Sequence, residues 1–259
     1  MANTALITGA SSGIGAQFAR RLADGGADLV LAARRADRLE DARLAFSAGG
    51  RTVDVLAVDL SQLSGLDQVI DRVRAGDIDT AVLSAGVAGY GGFTDRPCDD
   101  IAANWMLNAT GPLLLTRELL GPMLQRGSGR IILIASALAF SGGMNQPFMP
   151  KRAAYVAAKA ALVGLGRALN AETRDTGVHV TVVCPGMVST EWNDGASQNP
   201  RAMSADDVVT AALVASANND AVCLPGVQDA SLLDEFAAIE AAIVQTNNVP
   251  DLAERFRDN

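Results

Sequence analysis

The sequence predicts one doubly wound α/β domain, in which a parallel sheet of about seven strands is covered by helices on both faces. Short apolar runs alternate with longer helical patterns along the 259 residues, as in a chain built from β-α-β units. The runs are apolar almost continuously, which is typical of parallel strands buried on both faces. A hydrophobic fraction of 49% supplies one large core, and no linker or repeat divides residues 1–259.

The elements follow in order along the chain. The predicted strands are rich in Val, Ile and Leu, and they are Thr4–Thr8, Asp28–Ala33, Thr52–Val58, Thr80–Ser84, Arg130–Ala135 and Val178–Cys184. The helix patterns between and after them are Ala16–Ala23, Arg35–Phe46, Leu63–Arg74, Asp99–Gln125 and Ala153–Asp175. Parallel sheets bind ligands beyond the carboxyl ends of their strands. We therefore expect the functional site just after Thr8, Ala33, Ser84, Ala135 and Cys184.

Charge and composition argue against several function classes. The 21 basic and 29 acidic residues give a net charge of −8, which argues against nucleic acid as a partner. No apolar run reaches the ~18 residues of a membrane span, and no export signal is visible, so we expect a cytoplasmic protein. Cys98, Cys184 and Cys223 are scattered and odd in number, and His179 is the only histidine. We therefore expect neither a disulfide framework nor a metal site.

A glycine-rich turn follows the first strand and leads into the first helix. Its residues are Gly9, Ser11, Ser12, Gly13, Ile14 and Gly15, with the spacing G-x-x-x-G-x-G. Glycines allow a tight turn, and a helix N-terminus presents free N–H groups to a pyrophosphate. The turn therefore predicts a dinucleotide site, and an ordinary glycine-rich turn is the alternative.

The end of the second strand indicates which dinucleotide binds. An NAD site would place a carboxylate there to accept from the ribose hydroxyls, but Arg34 and Arg35 follow Ala33 and no carboxylate appears before Asp37. A guanidinium suits the 2′-phosphate of NADP(H), since it binds two oxygens together. A solvated helix start is the alternative, although positive charge opposes the helix dipole at that end.

Tyr155 and Lys159 lie four residues apart in a helical pattern, so both side chains share one face. A free tyrosine has a pKa of about 10. A cation one turn away lowers that pKa, so we expect Tyr155 to exchange a proton with a carbonyl or alcohol oxygen.

Together these motifs resemble those of the short-chain dehydrogenase/reductases, whose fold is Rossmann-type. The resemblance rests on Thr8–Gly15, Asp59-Leu60, Ala85-Gly86, Asn108, Ser136, Tyr155 with Lys159, and Pro185-Gly186 with Thr190. It implies that Tyr155 is the general acid/base, that Lys159 holds the nicotinamide ribose, that Ser136 steadies the substrate oxygen and that Asn108 holds a water of the proton relay. It also implies cofactor contacts by Asp59, Leu60, Ser84, Ala85, Gly86, Pro185, Gly186, Val188 and Thr190.

The chain departs from the family in two places. Ser84 stands where an Asn is common, and we expect altered local hydrogen bonding there without loss of chemistry. Ser136 precedes Tyr155 by 19 residues, which is longer than usual, and Ser141, at 14 residues, is the rival by spacing. We prefer Ser136, because it directly follows a strand and the extra length falls in the loop Phe140–Arg152.

The sequence thus predicts an NADP(H)-dependent oxidoreductase for a ketone or secondary alcohol. Loops near 137–154 and 187–205 are expected to form the substrate pocket, with apolar area from Phe140, Met144, Phe148, Met149 and Trp192. The alternatives are a 3-oxoacyl-carrier-protein reductase and a non-catalytic NADP(H)-binding sensor. The resemblance implies a homodimer or homotetramer, in which the Ala-rich helix Ala153–Ala171 could pack against its copy.

Overall fold

The computed structural model describes residues 3–147, 149–191 and 199–257. These residues fall into two compact units, Met1–Pro225 and Gly226–Asn259. Because the second unit stands by itself, the single domain over residues 1–259 stays a prediction. Among the described residues, no helix is both long and apolar enough to cross a membrane.

The first unit contains a seven-stranded parallel sheet in the order β3-β2-β1-β4-β5-β6-β9. Its strands are β1 (Thr4–Thr8), β2 (Asp28–Ala33), β3 (Val53–Ala57), β4 (Ile78–Leu83), β5 (Gly129–Ile134), β6 (Val178–Val183) and β9 (Val222–Cys223). Two short strands, β7 (Val188–Ser189) and β8 (Met203–Ser204), pair with each other. The predicted fold class is confirmed.

Helices cover both faces of this sheet. They are α1 (Gly13–Asp24), α2 (Ala36–Ala48), α3 (Leu63–Val73), α4 (Cys98–Trp105), α5 (Gly111–Arg126), α6 (Ala153–Glu172) and α7 (Ala205–Asn218). One buried cluster joins the sheet to α3, α5 and α6, and a second joins it to α1, α2 and α7. The strands read as continuous apolar runs because both of their faces are covered in this way.

The helix predicted over Asp99–Gln125 is interrupted in the structure. A π-helical turn, Met106–Thr110, separates α4 from α5. Pro112 supplies a physical reason, because it has no N–H to donate to the carbonyl of Asn108, four residues earlier. Insertions of this kind occur often at functional sites.

The second unit consists mainly of α8 (Ser231–Asn247), followed by a short 3₁₀ helix, Glu254–Phe256. Helix α8 has no buried residue.

Candidate active site

A cleft of about 820 Å³ lies at the carboxyl ends of the strands, where the strand pattern places the site. It is centred where β1 lies between β2 and β4, the point at which the strand order reverses. Every residue predicted for catalysis or cofactor binding lines it: Gly9, Ser11, Ser12, Gly13, Ile14, Gly15, Arg34, Arg35, Asp59, Leu60, Ser84, Ala85, Gly86, Asn108, Ser136, Tyr155, Lys159, Pro185, Gly186, Val188 and Thr190. Their placement is observed, and their roles stay predictions.

The glycine turn packs tightly beneath one end of the cleft. A Cβ added to Gly15 would lie 2.4 Å from the carbonyl oxygen of Gly9, so only glycine fits in the first turn of α1. The hydroxyl of Thr8 accepts from the N–H groups of Ser84 at 3.0 Å and Ala85 at 3.1 Å. These hydrogen bonds connect the end of β1 to the end of β4. At Ser84 it is therefore the backbone N–H that bonds to the Thr8 hydroxyl.

The two predicted cofactor arginines have different neighbours. Arg35 donates to Ser11 of the glycine turn, from Nε to Oγ at 3.2 Å and from Nη2 to the carbonyl oxygen at 3.1 Å. The charge of Arg34 acts on Asp59. Partial burial raises the pKa of the Asp59 carboxyl, but the two hydrogen bonds from Ser61 and the charge of Arg34 outweigh it, so the pKa lies below its ordinary value. The cleft therefore has positive charge beside its glycine turn.

Ser136, Tyr155 and Lys159 meet at the other end of the cleft. Ser136 lies two residues after the end of β5, and its Oγ accepts from the N–H of Leu138 at 3.2 Å. Tyr155 lies in the first turn of α6, is 6% exposed and lines the cleft together with Ser136. Lys159 is 4% exposed, and its Nζ donates to the carbonyl oxygen of Ile134 at 2.9 Å. The phenol, the hydroxyl and the ammonium thus share one buried corner.

The pKa of Tyr155 departs from the sequence-based expectation. Burial raises the pKa of the phenol, the nearby Ser136 hydroxyl lowers it in part, and Tyr90 raises it further. Lys159 was expected to lower the pKa of Tyr155, and its Nζ lies 5.8 Å from the ring centroid. The pKa is raised instead, because desolvation of the phenol is the largest effect. Burial also lowers the pKa of Lys159 to about 8. In this environment Tyr155 is a protonated acid at neutral pH.

Asn108 lies in the π-helical turn and is fully buried. Its Nδ2 donates to the carbonyl oxygens of Val87 at 2.9 Å and Asn104 at 3.0 Å, so it braces the chain after β4. A Cβ on Gly86 would lie 2.8 Å from Asn108 Oδ1 and 3.3 Å from Lys159 Nζ. Glycine at this position therefore lets the asparagine and the lysine approach the same part of the cleft.

The rival serine, Ser141, has a different environment. It is 3% exposed, and its hydroxyl donates to the carbonyl oxygen of Leu138 at 2.7 Å. The Ser141 Oγ also accepts from Arg152 Nε at 3.0 Å. Arg152 also donates to the carbonyl oxygens of Ser141 and Met144. Ser141 therefore belongs to a brace across the long loop, whereas Ser136 lines the cleft.

The substrate end of the cleft differs in part from the predicted pocket. Met149 lines it, whereas Phe140 and Met144 are exposed and do not line it, and residues 142–147 of the loop are exposed to solvent. Phe148 and Trp192 lie outside the described residues. Tyr90 was missed, although it is one of only two tyrosines. Its ring meets that of Tyr155 edge-on, at a centroid distance of 5.7 Å.

Glu191 also lines the cleft and was missed, although it directly follows the predicted Thr190. Its carboxylate contacts Arg35 and Arg38.

Groups expected to be structural lie elsewhere. His179 is on β6 and does not line the cleft, and burial lowers its pKa. Cys184 is buried in the core and has a raised pKa, chiefly through burial. Among the described residues, no group of three or more His, Cys, Asp or Glu side chains is arranged to hold a metal ion.

Known proteins share the sequence profile and the fold of this chain. The sequence profile of the short chain dehydrogenases matches residues 3–201. The structure of a short-chain dehydrogenase from Sphingobium yanoikuyae in complex with NADPH superposes with a TM-score of 0.90 at 31% identity, covering 98% of this chain and 100% of that one. The bulky-bulky ketone specific alcohol dehydrogenase from Comamonas testosteroni superposes with a TM-score of 0.89 at 30% identity, covering 98% of each chain.

A ketoacyl reductase, whose named activity differs from that of the alcohol dehydrogenase, also matches. The ketoacyl reductase HetN of Nostoc sp. is 34% identical over 188 residues, which is 72% of this chain. The match spans 63% of that relative, less than two thirds of its length.

Proposed function

Because the chain belongs to the short chain dehydrogenase family, we propose that it transfers a hydride between NADP(H) and a ketone or secondary alcohol with apolar substituents. The observation that carries the proposal is the arrangement of one cleft. Arginines and a glycine turn lie at one end, and Ser136, Tyr155 and Lys159 lie at the other.

The residues of the cleft fit a dinucleotide. The first turn of α1, where only glycine fits at position 15, would receive the pyrophosphate, since it lines the cleft and a helix N-terminus presents free N–H groups. Arg34 and Arg35 would hold the 2′-phosphate, and Ser11 would add a hydroxyl. Lys159, a buried cation whose Nζ donates to the carbonyl oxygen of Ile134, would hold the nicotinamide ribose. The bound NADPH of the Sphingobium relative supports the phosphorylated cofactor.

The chemistry of the chain's own residues is proton transfer and orientation. When bound, the cofactor supplies or accepts the hydride. In ketone reduction, Tyr155 donates its phenolic proton to the carbonyl oxygen, and in alcohol oxidation it takes that proton back. Ser136 donates to the same oxygen and keeps it within reach of Tyr155. Asn108 would hold a water that connects Tyr155 with solvent through the proton relay.

The substrate end of the cleft favours apolar carbonyl compounds. Leu138, Met149, Met187 and the Tyr90 ring line it. The Comamonas relative, which is specific for bulky-bulky ketones, supports this class. The second candidate is reduction of a 3-oxoacyl group, which the similarity to a ketoacyl reductase favours.

Self-association is part of the proposal. The outward face of α6 carries exposed small residues, including Ala157, Ala160 and Gly164, and a Cβ added to Gly164 would contact nothing within 4 Å. A face of this kind allows close approach of a second α6, so we propose a homodimer or homotetramer.

Turnover measurements test the proposal. We expect kcat/KM with NADPH to exceed that with NADH by about 10²-fold, because two charge-assisted bonds to the phosphate favour it. Arg34→Asp should move this preference towards NADH. Aryl or long-chain ketones should exceed pyruvate and a 3-oxoacyl thioester in kcat/KM. NADPH binding without turnover on any carbonyl compound would instead indicate a sensor.

A further inference from the structure

Two arginines at the start of α2 share one acidic partner. Arg35 is the N-cap residue of α2, and Arg38 lies in its first turn. Arg35 donates from Nε and Nη2 to Ser11 of the glycine turn, and its Nη1 donates to Glu191. Arg35 thus lies where the proposed function places the 2′-phosphate, and Arg38 lies one turn further along α2.

A carboxylate already occupies these guanidinium groups. Arg38 Nη1 donates to Glu191 Oε1 at 2.8 Å and to Oε2 at 2.7 Å, and Arg35 Nη1 donates to Oε2 at 3.4 Å. Glu191 is more than 150 residues away in sequence and comes from the chain just after β7, on the other side of the glycine turn. Its neighbour Thr190 has Cγ2 3.1 Å from where a Cβ of Gly13 would lie. Glu191 therefore lies at the edge of the cleft, close to the glycine turn and to Arg35.

The carboxylate and the 2′-phosphate have the same chemistry towards arginine. Both are anions that present two oxygens to a guanidinium. The hydrogen bond from Arg38 lowers the pKa of the Glu191 carboxyl, so this group is charged at neutral pH. A phosphate at Ser11 and Arg35 would lie close to that negative charge. The side chain of Glu191 is 58% exposed, so its ion pairs are weak enough for a phosphate to displace.

NAD(H) has a hydroxyl in place of the phosphate, so it does not compete for the arginines. From this difference we infer that Glu191 is a cofactor-specificity residue that competes with the 2′-phosphate of NADP(H) for Arg35 and Arg38. The inference rests on the proposed use of NADP(H). It makes the preference for the phosphorylated cofactor smaller than the arginines alone would produce.

The test compares Glu191→Gln with Glu40→Gln at low ionic strength, where exposed charges are least screened. Glu40 is the matched control, because it is also an exposed glutamate paired with an arginine of α2, with 2.8 Å between Oε2 and Arg43 Nε. The probes are NADPH, NADH, 2′,5′-ADP and 5′-AMP, and fluorescence and calorimetric titrations give their dissociation constants. The last two probes isolate the phosphate from the nicotinamide half.

We expect Glu191→Gln to bind NADPH and 2′,5′-ADP about fivefold more tightly or better, the effect of removing a unit charge about 4 Å from the phosphate. NADH and 5′-AMP should stay within about twofold of the wild type, and Glu40→Gln should leave all four within about twofold.

Two results would overturn the inference. Unchanged binding of 2′,5′-ADP by Glu191→Gln shows that the carboxylate does not compete. Weaker binding of all four probes shows that Glu191 instead helps to retain the cofactor. The proposed cofactor preference is read separately, from NADPH against NADH in the wild type, so either claim can fail while the other stands.

Discussion

The buried ammonium of Lys159 predicts a specific dependence of stability on pH. Burial lowers its pKa from an ordinary 10.5 to about 8 in the folded protein. Below pH 8 the group is charged in the folded and unfolded states, and the folded state carries the full desolvation cost. Between pH 8 and 10.5 the folded state loses the proton first, so stability rises with pH. The desolvation cost of the charged Lys159 therefore falls between pH 8 and pH 10.5.

The magnitude follows from the two pKa values. At pH 7 the charged lysine costs about 3 kcal/mol, and at pH 9.5 it costs about 1 kcal/mol. Relative to Lys159→Met, the wild type should therefore gain about 2 kcal/mol in the free energy of unfolding between these pH values. The bond from Lys159 to Ile134 is also lost in the variant, but this loss is largely common to both pH values and cancels in the comparison.

Urea unfolding at pH 7 and pH 9.5 measures this gain, at one protein concentration, so that any association affects both proteins alike. Lys151→Met is the matched control, because Lys151 is the other lysine of the chain and is exposed. It should show no pH-dependent difference from the wild type. A gap between wild type and Lys159→Met that stays constant within about 0.5 kcal/mol would refute the reasoning.

Three further predictions concern the site and the assembly. Tyr155→Phe should lower kcat by roughly 10²–10⁴-fold while NADPH binding stays unchanged, since only the proton donor is lost; retention of a tenth of kcat by the variant would contradict this role. Ser136→Ala should lower kcat more than Ser141→Ala, because the hydroxyl of Ser141 is engaged within its loop; the reverse order would place the substrate at Ser141. Gly164→Leu should reduce the mass measured by light scattering, while Ala45→Leu on α2 should not; an unchanged mass would remove this face of α6 from the interface.

The fold and the place of the cleft follow from local patterns. The runs at Thr4–Thr8 and Asp28–Ala33 are strands with the predicted bounds, because a strand buried on both faces needs apolar side chains at every position. Tyr155 and Lys159 share a helix face, because an i,i+4 spacing depends only on helix geometry. The interruption at Met106–Thr110 was missed because the apolar pattern continues across it, although Pro112 was a usable signal.

Spacing along the chain favoured Ser141, whereas the position after a strand favoured Ser136, the residue that the sequence analysis preferred. The structure separates the candidates by their partners: Ser141 is engaged with Leu138 and Arg152, whereas Ser136 lines the cleft together with Tyr155. No local pattern contains this information, because the partners come from three separate segments.

The fold class, the glycine turn and the shared face of Tyr155 and Lys159 could be predicted from the amino-acid order, because they depend on neighbours within a few residues. The direction of the Tyr155 pKa and the partner of Arg38 could not, because they depend on segments distant along the chain. Desolvation sums over everything packed around a group, so spacing to a single cation cannot predict its outcome. The contact between Arg38 and Glu191 joins residues 153 positions apart, and it exists only because the fold brings the segment after β7 next to the start of α2.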